Sequence, residues 1–184
     1  MYYFIADEHY NHPNMLIYQN NPFEDITHKE ETMISNHNSV VGPNDTTIHG
    51  GDFAWVKTYR EAQKYIKRLN GNHIFLKGSH DKWLPQNRSI QIWEKEFGNR
   101  KNRIYLVVCH YWMGAWARSH YNSWHLYGHS HHDIDLPGKR HCISVENTNY
   151  FPISFEEVES IMEKKGDNPN YIPPDKRHPR RTKR

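Results

Sequence analysis

The 184 residues carry 24 Lys and Arg against 21 Asp and Glu, for a formal charge of +3, and only 36% are hydrophobic while 14% are aromatic. That length suits one domain with its own core, built as much from Trp, Tyr and Phe as from aliphatic side chains. No apolar run approaches the ~20 residues of a membrane span, and the opening 1–6 stretch is too short for a signal peptide and lacks its basic start. Six Lys or Arg fall within residues 166–184, so the body is close to neutral. Such a body is not the broad basic face of a dedicated nucleic-acid binder. Cys109 and Cys142 stand far apart and read as buried thiols of a cytoplasmic protein, not as a disulfide framework or a zinc clip.

In chain order, residues 2–6 read as a buried strand with Asp7-Glu8-His9 at its C-terminal end. A helix is expected after Asp25, with Met33, Ile34, His37, Val40 and Val41 on one side, broken by Gly42-Pro43-Asn44-Asp45. Residues 46–49 form a second strand running into Gly50-Gly51-Asp52. Thr58 caps a helix whose Ala62, Tyr65, Ile66 and Leu69 share a face, and Gly71 ends it. A short strand at 73–76 stops at Gly78-Ser79-His80-Asp81, and the strand at 103–109 precedes His110. Another at 124–127 leads into Gly128-His129-Ser130-His131, and 141–145 is a further strand. Ser154 and Glu157 form a capping box for a last helix to about 165. Strands alternating with helices argue for an α/β fold. Asp or His residues at five strand ends mark the edge where such folds collect ligands.

A two-metal hydrolytic site needs a carboxylate between two cations ~3.5–4 Å apart, with further N and O ligands and open positions for water and substrate. Asp7, His9, Asp52, His110, His129 and His131 supply that set, with Ser79, His80 and Asp81 nearby. Alternation in Asp-x-His and His-x-His would turn both members of each pair to one side of an extended backbone. Mixed histidine and carboxylate ligands suit Mn, Fe, Zn, Co or Ni better than Ca or Mg.

The ordered series Asp7-x-His9, Gly51-Asp52, Gly78-Ser79-His80-Asp81, His110, Gly128-His129-Ser130-His131 closely resembles the calcineurin-like metallophosphoesterase superfamily, in particular its small single-domain bacterial and phage members. The resemblance runs from Tyr3 to about Val158. It implies an αββα sandwich of two mixed sheets flanked by helices over residues 1–165; the basic, Pro-rich composition of 166–184 reads as a disordered tail. It implies a cytoplasmic protein (host cytoplasm if phage-encoded) that hydrolyses phosphate esters as a phosphodiesterase or phosphatase. Two divalent cations, manganese foremost, would be held by Asp7, His9 and His131 on one side and by Ser79, His110 and His129 on the other. Asp52 would bridge them and a bridging hydroxide would attack phosphorus. His80 would be the general acid, or would stabilise the transferring phosphoryl group, with Asp81 fixing its ring.

Ser79 departs from the pattern, standing where relatives carry an asparagine ligand, and Trp112 departs after His110. His12 and Arg118 are candidates for touching substrate, Arg118 by gripping a phosphate oxygen. His49, beside Gly50-Gly51-Asp52, reads as a support for the ligands; the remaining histidines read as structural or solvated. Nucleotides, nucleic-acid ends and phosphoproteins all suit an open cleft. Two other classes stay open: a non-catalytic binding module on the same fold, which the Ser79 change would favour, and a nucleic-acid binder working through its basic tail.

Overall fold

The computed structural model describes residues 1–18, 22–85, 90–99 and 102–177. The first sheet pairs β1 (Tyr2–Ile5), β2 (Thr46–His49) and β3 (Asn72–Phe75) in parallel, with β8 (Ile153–Ser154) antiparallel on the other side of β1. Its spatial order is β3-β2-β1-β8. In the second, β4 (Ile92–Gly98) runs antiparallel to β5 (Arg103–Cys109), and β6 (Trp124–Tyr127) and β7 (Arg140–Cys142) continue it in parallel. The molecule is therefore an α/β protein with two mixed four-stranded sheets.

The sheets share one core. Phe4 and Ile48 from the first meet Leu106, Val108 and Leu126 from the second, all buried to 0% exposure. Each such side chain contributes about 1.5–3 kcal/mol on leaving water. A second cluster joins Ile5 of β1 to Met33 and Ile34 of α2 (Ile26–Val40) and to Ala62 of α3 (Tyr59–Ile66). Asp25 caps α2 by accepting from His28 N, and reciprocal capping boxes start α3 at Thr58–Glu61 and α4 (Phe155–Glu163) at Ser154–Glu157. These are the caps the sequence predicts.

As expected, helices flank the two sheets. Helix α4 sends Val158 and Met162 into the core, and the His125 ring of β6 lies against Trp116 of the loop after β5, which also carries a 3-10 turn at Ser119–Tyr121. One expectation changes: over residues 166–177 the disordered tail gives way, because Asn168 is buried. Its Nδ2 donates to Ser119 O and Ser123 O, and its Oδ1 accepts from Lys139 N. A buried amide with three partners fixes the chain there, and Arg177 lies over Tyr121. The tail residues Arg180, Arg181, Lys183 and Arg184 fall outside the described residues, as does His178.

Candidate metal centre

Every parallel strand ends at the same edge, and the loops leaving β1 and β2 are laced together there. Asp7 N donates to Gly51 O, His9 N to Asp52 O and Tyr10 N to Phe53 O, each within 3.0 Å. Buried Lys29 holds the first loop from below, its Nζ donating to Glu8 O at 3.0 Å. Side-chain alternation along an extended strand is not what brings the ligand pairs together. Asp7, His9, Asp52, His129 and His131 all have left-handed backbones, with φ between 49° and 68°. Non-glycine residues adopt that conformation rarely and at a cost of about 1 kcal/mol or more, and such outliers cluster at functional sites. The pairs converge through these turns.

The convergence produces two triads. Asp7, His9 and His131 offer ligand atoms within 4.8 Å of one another, and so do Asp52, His110 and His129. Asp52 Oδ2 lies between them, 3.3 Å from His110 Nε2, 3.9 Å from His9 Nε2 and 3.9 Å from His80 Nε2. Three buried atoms, Asp7 Oδ1, His9 Nε2 and His110 Nε2, have no hydrogen-bond partner among the described residues. A buried polar atom without a partner costs about 1–3 kcal/mol, so three in one place call for a ligand. A divalent cation fits this donor set of imidazole nitrogens and carboxylate oxygens.

Outer contacts aim the ligands. His110 Nδ1 donates to Gly50 O at 3.1 Å and His131 Nδ1 faces Glu146 Oε2 at 2.9 Å, which turns each Nε2 inward. Asp7 Oδ2 accepts from Ser144 Oγ at 2.5 Å and from His129 N at 2.9 Å, leaving Oδ1 for a cation. Burial pushes the Asp7 carboxyl up to about 6 against the opposing pull of His110 and His131. Burial works the same way on Asp52, but the His110 ring, its Nε2 3.3 Å away, outweighs it and holds that carboxyl below its ordinary range. Desolvation drives His9 down to about 2, so its ring is neutral at neutral pH and keeps one nitrogen lone pair for a cation. His49 Nδ1 meets Glu8 Oε1 at 2.5 Å, on the loop that carries Asp7 and His9.

Ser79 reaches the cluster, its Oγ donating to Asp52 Oδ2 at 3.0 Å. His80 sits at the rim, 37% exposed, with its backbone N donating to Asp52 Oδ1 at 2.7 Å. His12 lines the same side, Nδ1 at 3.4 Å from His9 Nδ1 and its ring stacked on Trp55. Asp81 does not orient the His80 ring. Its Oδ2 accepts from Asp52 N (2.7 Å) and Gly78 N (2.9 Å), and its Oδ1 from Ala54 N (3.3 Å) and Trp83 Nε1 (2.9 Å). The carboxylate is used up in tying two ligand loops together. Arg118 is not in the cleft either. It pairs with Glu96 and lies over Tyr105, both near the start of β5, whereas His110 follows its end. Five residues at ~3.3 Å each put roughly 16 Å between Tyr105 and His110. Sequence reasoning missed Ser144 and Glu146. They follow β7 just as the ligands follow their own strands, but a lone Ser and Glu carry no motif.

No family model matches the chain. It is 29% identical over 170 residues to the uncharacterized protein MJ1445 of Methanocaldococcus jannaschii, covering 88% of this chain and 91% of that one. Among solved structures it is similar to a protein of unknown function from Aquifex aeolicus, AQ665. That likeness has a TM-score of 0.61 at 24% identity and covers 88% of this chain and 98% of the other; it concerns the fold.

Proposed function

We propose that the chain is a metal-dependent phosphoesterase of the calcineurin-like type. Asp7, His9 and His131 would hold one divalent cation and Asp52, His110 and His129 a second, with manganese the first choice and iron, zinc, nickel or cobalt as alternatives. The observation that carries this reading is the set of partnerless atoms, Asp7 Oδ1, His9 Nε2 and His110 Nε2, gathered around the Asp52 carboxylate. Bound there, such cations polarise a phosphoryl oxygen and make water acidic enough to act as a nucleophile near neutral pH.

The remaining steps belong to the chain itself. His80 stands at the open rim beside Asp52 with its ring accessible to substrate, where it donates a proton to the departing ester oxygen or a hydrogen bond to the transferring phosphoryl group. Its backbone N–H on Asp52 Oδ1 keeps it in register with the ligands. Asp81 positions both loops, and Ser79 contributes a hydroxyl where a longer amide would reach further toward the second triad.

The test is an assay of the metal-stripped protein on bis-p-nitrophenyl and p-nitrophenyl phosphate across Mn, Ni, Co, Zn and Mg, beside Ser79→Asn, with bound metal counted by elemental analysis. We expect release that depends on manganese or nickel and rises in the variant, with two ions per chain. Silence of both proteins with every metal, together with an empty site, overturns the reading.

A further inference from the structure

A cleft of about 410 Å³ opens beside His80, lined by Asn11, Trp55, Val56, Lys57 and Lys82. That size is at the small end of the range for small-molecule sites (about 300–1,000 Å³). Trp55 is 39% exposed there, unusual for so large an apolar group. It is nevertheless held rigidly. Its N donates to Tyr10 O, its O accepts from Asn11 Nδ2, and the His12 ring stacks on it at 4.3 Å and 5°. The His80 ring touches it at 4.8 Å. With His12 covering one face, the other looks into the cleft, where Lys82 Nζ stands 5.3 Å from the ring centroid.

The charges lining this cleft have one net sign. Of the described residues lining it, Lys57 and Lys82 are basic and Glu61 is acidic, and the Glu61 carboxylate already accepts from Lys57 N, Thr58 N and Thr58 Oγ1 in the capping box of α3. A rigid aromatic platform with two ammonium groups beside it, next to the residue that meets the leaving oxygen, selects a ligand that is planar and anionic at once. We propose that this cleft is the leaving-group subsite and takes a nucleoside phosphate, its base stacked on Trp55 and its charge facing Lys57 and Lys82. The assignment of the leaving-group side rests on the phosphoesterase reading. Base stacking on an indole outweighs an exposed ammonium over the same ring, so the base displaces Lys82 toward the phosphate.

Binding is measured by calorimetry on the full chain with no metal added, which keeps turnover out of the signal. The probes are adenosine 5′-monophosphate and, as the base-free control, ribose 5-phosphate. We expect the nucleotide to bind more tightly than the sugar phosphate, to weaken about tenfold in Trp55→Leu, and to recover most of that in Trp55→Phe. Ribose 5-phosphate should be unaffected by either change. An unchanged urea midpoint in both variants separates lost stacking from lost folding. Equal affinity for the two probes, no nucleotide binding, or a nucleotide affinity indifferent to Trp55→Leu overturns the proposal. If Trp55-dependent binding appears in a protein that hydrolyses no ester, the subsite stands and the phosphoesterase reading falls. Hydrolysis without Trp55-dependent binding gives the reverse.

Discussion

Replacing Asp81 with asparagine tests whether that carboxylate serves the loops or the His80 ring. Its two oxygens accept four hydrogen bonds, three from backbone N–H groups of Asp52, Ala54 and Gly78 and one from the Trp83 indole. An amide keeps one oxygen and points an NH2 group at the other two donors. Each buried donor left without an acceptor costs about 1–3 kcal/mol, so the loss is about 2–6 kcal/mol, a large share of the 5–15 kcal/mol typical of a domain. With a urea slope of about 2 kcal/mol/M, the unfolding midpoint falls by roughly 1–3 M. Metal affinity falls with it, because Asp52 and Gly78 lie on the two loops that would come apart. His80→Asn, at a half-exposed position, should leave the midpoint where it was. If Asp81→Asn loses turnover while its midpoint and metal affinity stay unchanged, the carboxylate serves the His80 ring after all, and the reasoning fails.

His37 provides a pH prediction: burial, aided by the charge of His49, lowers its imidazole from 6.5 to about 3. The folded-state pKa lies below the unfolded one, so the unfolded chain takes up the proton first as pH falls. Stability is full above about pH 6.5 and is lost progressively toward pH 3, by about 1.4 kcal/mol at pH 5.5 from this group alone. Urea midpoints at pH 7.5 and 5.5 should therefore differ less in His37→Gln than in the parent, and equal differences would count against the assignment. Gly128→Ala addresses the first triad, since a Cβ there would stand 2.5 Å from Asp7 Oδ2 and 2.9 Å from Ala6 Cβ. We expect at least tenfold weaker metal binding by equilibrium dialysis, while Gly114→Ala, with no atom of the described residues within 4 Å, leaves it unchanged. Equal effects from the two would show that the crowding is relieved elsewhere.

The two candidate triads were readable because each member sits at a strand end in an order that local chemistry alone would not produce. What escaped was tertiary. β4 went unread because Glu94, Lys95 and Glu96 interrupt its apolar residues, and only pairing with all of β5 shows that Trp93 and Phe97 face the core. Asp81 and Arg118 were misplaced for the same reason: spacing puts a residue near a motif, but its partners come from other loops. Spacing also favoured the convergence of Asp7 with His9 for the wrong cause, an extended backbone where the chain turns left-handed. His129 and His131, by contrast, divide between the two triads as the resemblance implies.

That division matters mechanically. In the first triad Asp7 and His9 follow β1 of one sheet and His131 follows β6 of the other; in the second, Asp52 follows β2 while His110 and His129 follow β5 and β6. Each triad is thus a rivet hole through both plates of the sandwich. Sliding one sheet over the other by an ångström would open both triads together, so the site reports the alignment of the two sheets. Side chains such as Phe4 and Leu126, which lie in the shared core and set how the plates rest on each other, then govern the geometry of the site as surely as its own histidines.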